Sequence, residues 1–237
     1  MKIALLGYGK MGKEIEEISV ERGHKIVYKI DKNSVDSNIN EADIAINFST
    51  PETAVQNIKL ALKSGVPVVC GTTGWLSDFK MIKELSIKSK ISFLYSSNFS
   101  LGVNLFFELN KKLTQIMNKH HQYSLNIEEI HHTEKIDKPS GTSISLANDI
   151  IESGKYNSWS INNKENKSIR IDSKRINEVP GTHIINYSSE VDSIEIKHTA
   201  NNRKGFAFGA ILASEWLINK KGVFEMNDVI NDPNFKY

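Results

Sequence analysis

Residues 128–143 read EEIHHTEKIDKPSGTS and gather two adjacent histidines, His131 and His132, a lysine four positions after the first, Lys135, and a Pro-Ser-Gly-Thr run. An imidazole and an amine can each pass a proton near neutral pH, the amine once its surroundings favour release. Pro139 disfavours helix at Lys138, and Ser140 is a good N-cap for a helix carrying Ile144, Ala147, Ile150 and Ile151 up to Gly154. The amides of Gly141 and Thr142 then lack intrahelical partners and face outward as an anion site. With Lys135 and His132 beside them they form a pocket for a carboxylate or phosphate, each charge-assisted bond contributing roughly 1.5–3 kcal/mol. Proton transfer beside a bound anion is what a hydride transfer requires, because the carbon next to the reduced one must be protonated. Plainer readings exist. The histidines could be structural or bind metal, although no third ligand stands at a familiar zinc spacing, and Lys135 beside Glu134 could be a solvated face.

Such a cluster needs a rigid frame, and the N-terminal part of the chain alternates strand with helix. KIALL ends at Gly7, and Met11, Ile15 and Ile18 follow at helical spacing. KIVYKID, ADIAINF, VPVVC and ISFLYS supply four more strands. The helix PETAVQNIKLALK opens at Pro51 and stops before Gly65, and a further helical segment spans 76–89. This alternation predicts an α/β fold, a Rossmann-type doubly wound parallel sheet.

Within that frame GYGKMG (Gly7, Gly9, Gly12) matches the G-x-G-x-x-G pattern directly after a strand and at the start of a helix. Glycine allows the tight turn, the approach of backbone amides to a pyrophosphate, and close helix–strand packing. Asp31, at the end of the second strand, is placed to accept hydrogen bonds from the adenosine ribose. Its carboxylate disfavours the extra phosphate of NADPH while Lys32 attracts it, so NADH and NADPH both remain open. Two more loops fall at carboxyl ends of strands, where ligands bind in this architecture. They are GTTG (Gly71, Thr72, Thr73, Gly74) and SSNF (Ser96, Ser97, Asn98, Phe99), and they offer small residues and Asn98 to a nicotinamide and its ribose. Ordinary polar loops are the plain alternative.

After Asn98 the pattern changes. A long amphipathic helix, 101–118, is followed by strand-like segments at 122–131, 168–173, 182–189 and 192–199, which predict an α+β unit with a mixed or antiparallel sheet. The polar stretch 154–168 reads as a surface excursion. A last helix, 204–220, carries Phe206, Ala210, Ala213 and Leu217 on one stripe and returns to the first domain. The expected organisation is a dinucleotide-binding domain from 1–98 plus 204–237, and a domain for substrate binding and oligomerisation from 99–203, hinged near Asn98 and Arg203. Thirty basic against 28 acidic residues give a net charge of +2, which argues against nucleic-acid binding. Cys70 is the only cysteine, so no intrachain disulfide forms. No apolar run approaches the ~18 residues of a membrane span or suits a secretory signal, and the expectation is a cytoplasmic protein.

Taken in order, the glycine loop, GTTG, SSNFSLGVN, EEIHHTEKIDKPSGTS and VPGTHIINYSSEVDSIEIKHTANNRKGFAFGA resemble the bacterial dihydrodipicolinate (4-hydroxy-tetrahydrodipicolinate) reductase family over nearly the whole chain. The resemblance implies reduction of a cyclic unsaturated imine dicarboxylate by NADH or NADPH, in the diaminopimelate and lysine pathway. Hydride goes to ring C4 after water is lost. It makes His131 the proton donor or acceptor and Lys135 the proton donor, and gives the substrate carboxylate to His132, Lys135, Gly141 and Thr142. Cofactor contacts fall to Gly7, Tyr8, Gly9, Lys10, Met11, Asp31, Lys32, Gly71, Thr72, Thr73, Ser96, Ser97, Asn98 and Phe99. Arg203 and Phe206 sit where the family brings its hinge near the cofactor. The family is usually a homotetramer built through its second domain's sheets. The chain departs from the family in a glycine loop one residue shorter than the common form, in Thr50 where many members have arginine, and in a short segment after Asp31. The first two bear on the adenosine half of the cofactor. Two competing readings stand beside this one: another two-domain Rossmann reductase, and a dinucleotide-binding regulator without catalysis.

Overall fold

The computed structural model describes residues 1–30, 38–161, 167–202 and 204–235. The chain divides into two units, Met1–Asn104 with Lys204–Tyr237, and Leu105–Arg203.

In the first unit β1 (Lys2–Leu6), α1 (Lys10–Glu21), β2 (Lys25–Ile30), β3 (Ile44–Asn47), α2 (Pro51–Lys63), β4 (Val68–Cys70), α3 (Phe79–Ser89) and β5 (Phe93–Tyr95) follow one another, and α4 (Leu101–Met117) contains the unit boundary. The chain returns to this unit as α6 (Lys204–Leu217), β11 (Val223–Glu225) and α7 (Met226–Ile230), after the elements of the second unit. Strand order is β11-β5-β4-β3-β1-β2, with every pairing parallel. A parallel sheet covered on both faces needs strands that are apolar throughout, and β1 obliges. Its Ile3 and Leu5 join one core with Ile15, Ile18, Ala210 and Ala213, while Ala4 and Leu6 join the other with Ala54, Ile58, Leu62 and Ile82. The order reverses between β1 and β3, so the loops after these two strands open a crevice at their carboxyl ends. Helix α6 ends at Leu217, three residues before the expected stop and not as the last helix, since α7 follows it, and β11 adds an edge strand beside β5 that its short VFE sequence did not announce.

The second unit contains β6 (Ser124–His131), α5 (Gly141–Glu152), β7 (Ser158–Ile161), β8 (Ser168–Arg175), β9 (Gly181–Ser188) and β10 (Ser193–Ala200). Its sheet runs β10-β9-β6-β8-β7 and is mixed: β9 is antiparallel to β6 and β10, whereas β8 is parallel to β6 and β7. Strand β7 lies inside the stretch read from sequence as a surface excursion. Trp159 and Ile161 alternate with serines there, enough to pair at a sheet edge but too brief to register as a strand in polar surroundings. Leu125, Ile127, Ile171, Ile185 and Tyr187 pack with Leu146, Ala147 and Ile150 of α5. Along β6 the residues Leu125, Ile127, Glu129 and His131 share the buried face, so the core face of this strand turns polar at its carboxyl end.

Candidate active site

The glycine loop of the first unit is shaped by close approach. At Gly7, with φ +112°, a Cβ would stand 2.2 Å from the Phe48 carbonyl oxygen. At Gly12 it would stand 2.4 Å from the Gly7 carbonyl oxygen, where α1 packs on the loop. At Gly9 a Cβ would meet nothing within 4 Å. Gly9 is also the N-cap of α1 and offers no side-chain cap, so the backbone donors of the first turn are left for a ligand. A cleft of about 370 Å³ opens here, walled by Gly9, Lys10, Met11, Phe48, Ser49, Pro51, Gly71, Thr72 and Thr73. Accessible amides at a helix N-terminus in a glycine-lined cleft fit the pyrophosphate of a dinucleotide.

Phe48, Ser49 and Pro51 were not anticipated, although their place after the third strand was signal enough. Phe48 does the shaping, since a Cβ on Gly71 would lie 2.2 Å from its ring. The Thr72 hydroxyl accepts the Ser49 amide at 2.9 Å and its carbonyl accepts the Trp75 indole at 2.6 Å, so Thr72 ties two loops together. The Tyr8 hydroxyl donates to Glu16, which also takes the Lys29 ammonium at 2.6 Å. Tyr8, Ser96, Ser97, Asn98, Phe99 and Phe206 do not line the cleft. The Asn98 side-chain oxygen accepts the Ser100 amide at 2.9 Å. Phe99 is buried in the core, its ring 5.7 Å from that of Phe48. Phe206 is half-buried on the first turn of α6. Asp31, Lys32 and Arg203 lie outside the described residues.

In the second unit Ser140 caps α5 by accepting the Ser143 amide at 3.2 Å. The amides of Gly141 and Thr142 donate to no protein group among the described residues, and a Cβ on Gly141 would meet nothing within 4 Å. The start of α5 thus leaves two backbone donors open where the sequence reading expects an anion. The Lys135 ammonium sits 2.7 Å from Asp137, and the Lys138–Pro139 bond is cis. His132 is half-buried and lines a cleft of about 690 Å³ with Thr133, Glu134, Asn177, Glu178, Pro180 and Asn202, a cleft that Lys135, Gly141 and Thr142 do not line.

His131 is buried at the end of β6, with Gly181 so close that a Cβ there would lie 3.2 Å from His131 Nε2. Burial lowers its pKa, Glu129 opposes that shift, and Lys135 and Arg175 reinforce it. The imidazole is accordingly neutral at pH 7.

Three residues that sequence reading passed over surround it. Glu129, fully buried, accepts the Ser140 amide at 2.8 Å and the Ser143 hydroxyl at 2.7 Å on one oxygen, and two Arg175 nitrogens, each at 3.2 Å, on the other. Burial raises its pKa, but the bonds from Ser140 and Ser143 outweigh burial and hold it at about 2. His183 stands opposite Glu129 in the β6–β9 register, 3.1 Å from the Ser140 hydroxyl, and its ring is 5.0 Å from that of His131. Burial, reinforced by His131, pushes its pKa down to about 3. Glu129, His131 and His183 bring potential ligand atoms within 4.8 Å of one another, the third group that local spacing lacked. Arg175 shares that carboxylate, however, and its charge opposes a cation there. Glu129 was legible as the residue two before His131 on one strand face; Arg175 and His183 come from other strands and had no local signal.

A glycine-lined cleft at the switch point of a parallel sheet, in a chain whose second unit buries two histidines and a carboxylate together, is the architecture of a nicotinamide-dependent oxidoreductase. Family models for the N-terminus and C-terminus of dihydrodipicolinate reductase match residues 1–99 and 102–230. The chain belongs to the dihydrodipicolinate reductase family. A 4-hydroxy-tetrahydrodipicolinate reductase of Christiangramia forsetii is 51% identical over 235 residues, covering 98% of each chain. One of Thermosipho africanus is 35% identical over 237 residues, 98% of this chain and 99% of its own. Among solved structures, dipicolinate-bound dihydrodipicolinate reductase from Paenisporosarcina sp. TG-14 superposes with a TM-score of 0.77 at 21% identity, over 96% of this chain and 98% of that one. An engineered D-amino acid dehydrogenase bound to NADP+ gives a TM-score of 0.54 at 11% identity, over 99% and 97%. These two likenesses establish the fold.

Proposed function

We propose that the chain reduces 4-hydroxy-tetrahydrodipicolinate, by way of dihydrodipicolinate, to tetrahydrodipicolinate with NADH or NADPH, as a step of diaminopimelate and lysine biosynthesis. The observation that carries this reading is that His131 at the end of β6, Lys135 in the loop after it and two unbonded amides at the start of α5 follow one another along a single strand–loop–helix segment, in a chain that also bears a glycine-lined cleft. The name shared by the two relatives and the dipicolinate held by the structural neighbour support it.

A bound nicotinamide would supply the hydride for ring C4. Gly9, Lys10, Met11, Gly71, Thr72 and Thr73, which line the first unit's cleft, would hold the dinucleotide, with Asp31, Lys32 and Arg203 as further candidates. The second unit handles charge and protons. The N–H groups of Gly141 and Thr142 donate to a ring carboxylate, with Lys135 as its cationic partner, and His132, which lines a cleft that these residues do not, is a further candidate for the substrate. His131, kept neutral by burial, is not charged to donate at pH 7, which leaves the Lys135 ammonium to protonate the carbon beside C4 and His131 to orient substrate or take a proton. A homotetramer joined through the second unit's sheet, working in the cytoplasm, completes the reading.

The test is initial-rate oxidation of NADH and, separately, NADPH by purified protein, with substrate generated in place from pyruvate and aspartate semialdehyde by the preceding synthase. Synthase-dependent oxidation is expected, and the ratio of the two rates reports cofactor choice. In Lys135→Ala the rate should fall by about 10²–10⁴ while NADH binding is kept. A folded protein that binds NADH and oxidises neither cofactor would instead be the regulator.

A further inference from the structure

Arg175 is a largely buried charged group bonded to the candidate loop, and the proposed chemistry leaves it without a task. It closes β8, opposite His131 in the β6–β8 register, and its side chain is 15% exposed. An arginine beside a dicarboxylate site suggests a substrate clamp, and the geometry argues against one. A guanidinium has five N–H donors. Here Nε donates to the Lys135 carbonyl at 3.2 Å. One terminal nitrogen donates to Glu129 at 3.2 Å and to the Lys174 carbonyl at 2.9 Å, and the other to Glu129 at 3.2 Å and to the Asp137 carbonyl at 2.6 Å. All five are taken by protein acceptors, and none is left for a ligand.

From this we infer that Arg175 is a positioning residue, whose planar fork fixes the backbone on both sides of Ile136 and so sets where the Lys135 ammonium stands. The inference rests on the reading of Lys135 as proton donor. Its reach extends further through Glu129, which takes the other end of the fork and binds the Ser140 amide and Ser143 hydroxyl at the start of α5. One buried carboxylate thus links the lysine loop to the helix end that holds the anion. The loop has few other ties: Ile136 is 96% exposed, and the Lys135 amide donates only within the loop, to the His132 carbonyl at 3.2 Å. Lysine could not replace this arginine, because three donors on a single nitrogen cannot reach acceptors spread across a fork.

The experiment is a double-mutant cycle on the full chain with Arg175→Lys and Lys135→Met, read together with hydrogen exchange of the peptide covering 132–143. Arg175→Lys is expected to lower kcat on the order of 10²-fold, to leave the KM for NADH unchanged, and to speed exchange in 132–143. In the Lys135→Met background the same change should cost little, because the group being positioned is gone. Arg175→Gln, handled identically, serves if the lysine variant folds poorly, with NADH binding as the fold control. Losses that simply multiply in the cycle, or exchange unchanged from wild type, would overturn the inference. Should wild type itself fail to turn over the substrate, the proposed reaction falls, and exchange in 132–143 alone then decides the fork: faster exchange upholds it, unchanged exchange overturns it.

Discussion

At Gly9 a side chain would meet open space, whereas at Glu129 both carboxylate oxygens are already filled by four donors. The first unit bares the start of α1 by removing atoms, so that its amides stand open. The second unit leaves the Gly141 and Thr142 amides open too, but sets buried charge beside the cap of α5: a carboxylate and a guanidinium, with two neutral histidines. The difference teaches where each unit is vulnerable. Backbone sites fail by steric intrusion, and charge networks fail when one partner is lost or one proton is gained.

The largest expected effect follows from the second kind of failure. Glu129→Gln keeps the shape but turns one acceptor oxygen into a donor, which must then face either the Arg175 guanidinium or the Ser140 and Ser143 donors. Breaking a buried ion pair from one side costs about 3–5 kcal/mol, so the variant should show a clearly lower Tm in a thermal scan with NADH binding preserved at low temperature. Stability equal to wild type would mean that the network is incidental, and the contrast between the two units would dissolve.

A proton should act in the same direction as that mutation. His183 has its pKa depressed to about 3 by burial and by His131, against about 6.5 unfolded. Between those values the unfolded chain binds the extra proton, so the neutral imidazole's contribution is complete above pH 6.5 and is lost as pH falls toward 3. Glu129, at about 2, joins only below its own unfolded value near 4.3. Urea unfolding at pH 7, 6 and 5 should therefore show stability falling by up to about 1.4 kcal/mol per pH unit from His183 alone, and His183→Gln should flatten that slope. An unchanged slope in the variant would assign the acid sensitivity elsewhere.

These two materials also differ in how they are written in the chain. The glycine spacing and the strand before it made the first cleft legible, because Gly12 answers a steric demand set within the loop by Gly7, whereas the demand on Gly7 comes from Phe48 after the third strand and shows locally only as the glycine itself. His131, Lys135 and the Ser140 cap were legible for the same reason. Glu129 was within reach of strand alternation, yet its meaning depends on Arg175 and His183, which arrive through the β8 and β9 registers. Register follows from tertiary pairing, and no local pattern states it. Strand β7 was missed because Trp159 and Ile161 are too few to outweigh the polar residues around them, and β11 because three residues beside β5 carry no period. Phe99 shows what loop position alone leaves out: it stands in a loop at the carboxyl end of a strand, while apolar burial puts its ring in the core.

The finest test sits inside the glycine loop itself, where alanine can be placed at two positions five and two residues beyond Gly7. At Gly12 the new methyl would press on the Gly7 carbonyl from 2.4 Å, a backbone atom that cannot step aside without moving helix or strand. Overpacking of that kind costs typically about 1–3 kcal/mol, and NADH affinity should fall along with stability. At Gly9 the methyl meets nothing within 4 Å, and the backbone, at φ −81° and ψ −153°, borders the extended region and has no positive φ to strain alanine. Stability in Gly9→Ala should stay within about 0.5 kcal/mol of wild type, while the methyl projects where a pyrophosphate must approach the amides. The expected outcome is an unchanged Tm with a raised KM for the nicotinamide cofactor and little change in the KM for the dicarboxylate. If Gly9→Ala binds cofactor as wild type does, the space at Gly9 is mere solvent, and the first unit's site must be sought along the loops after β3 and β4.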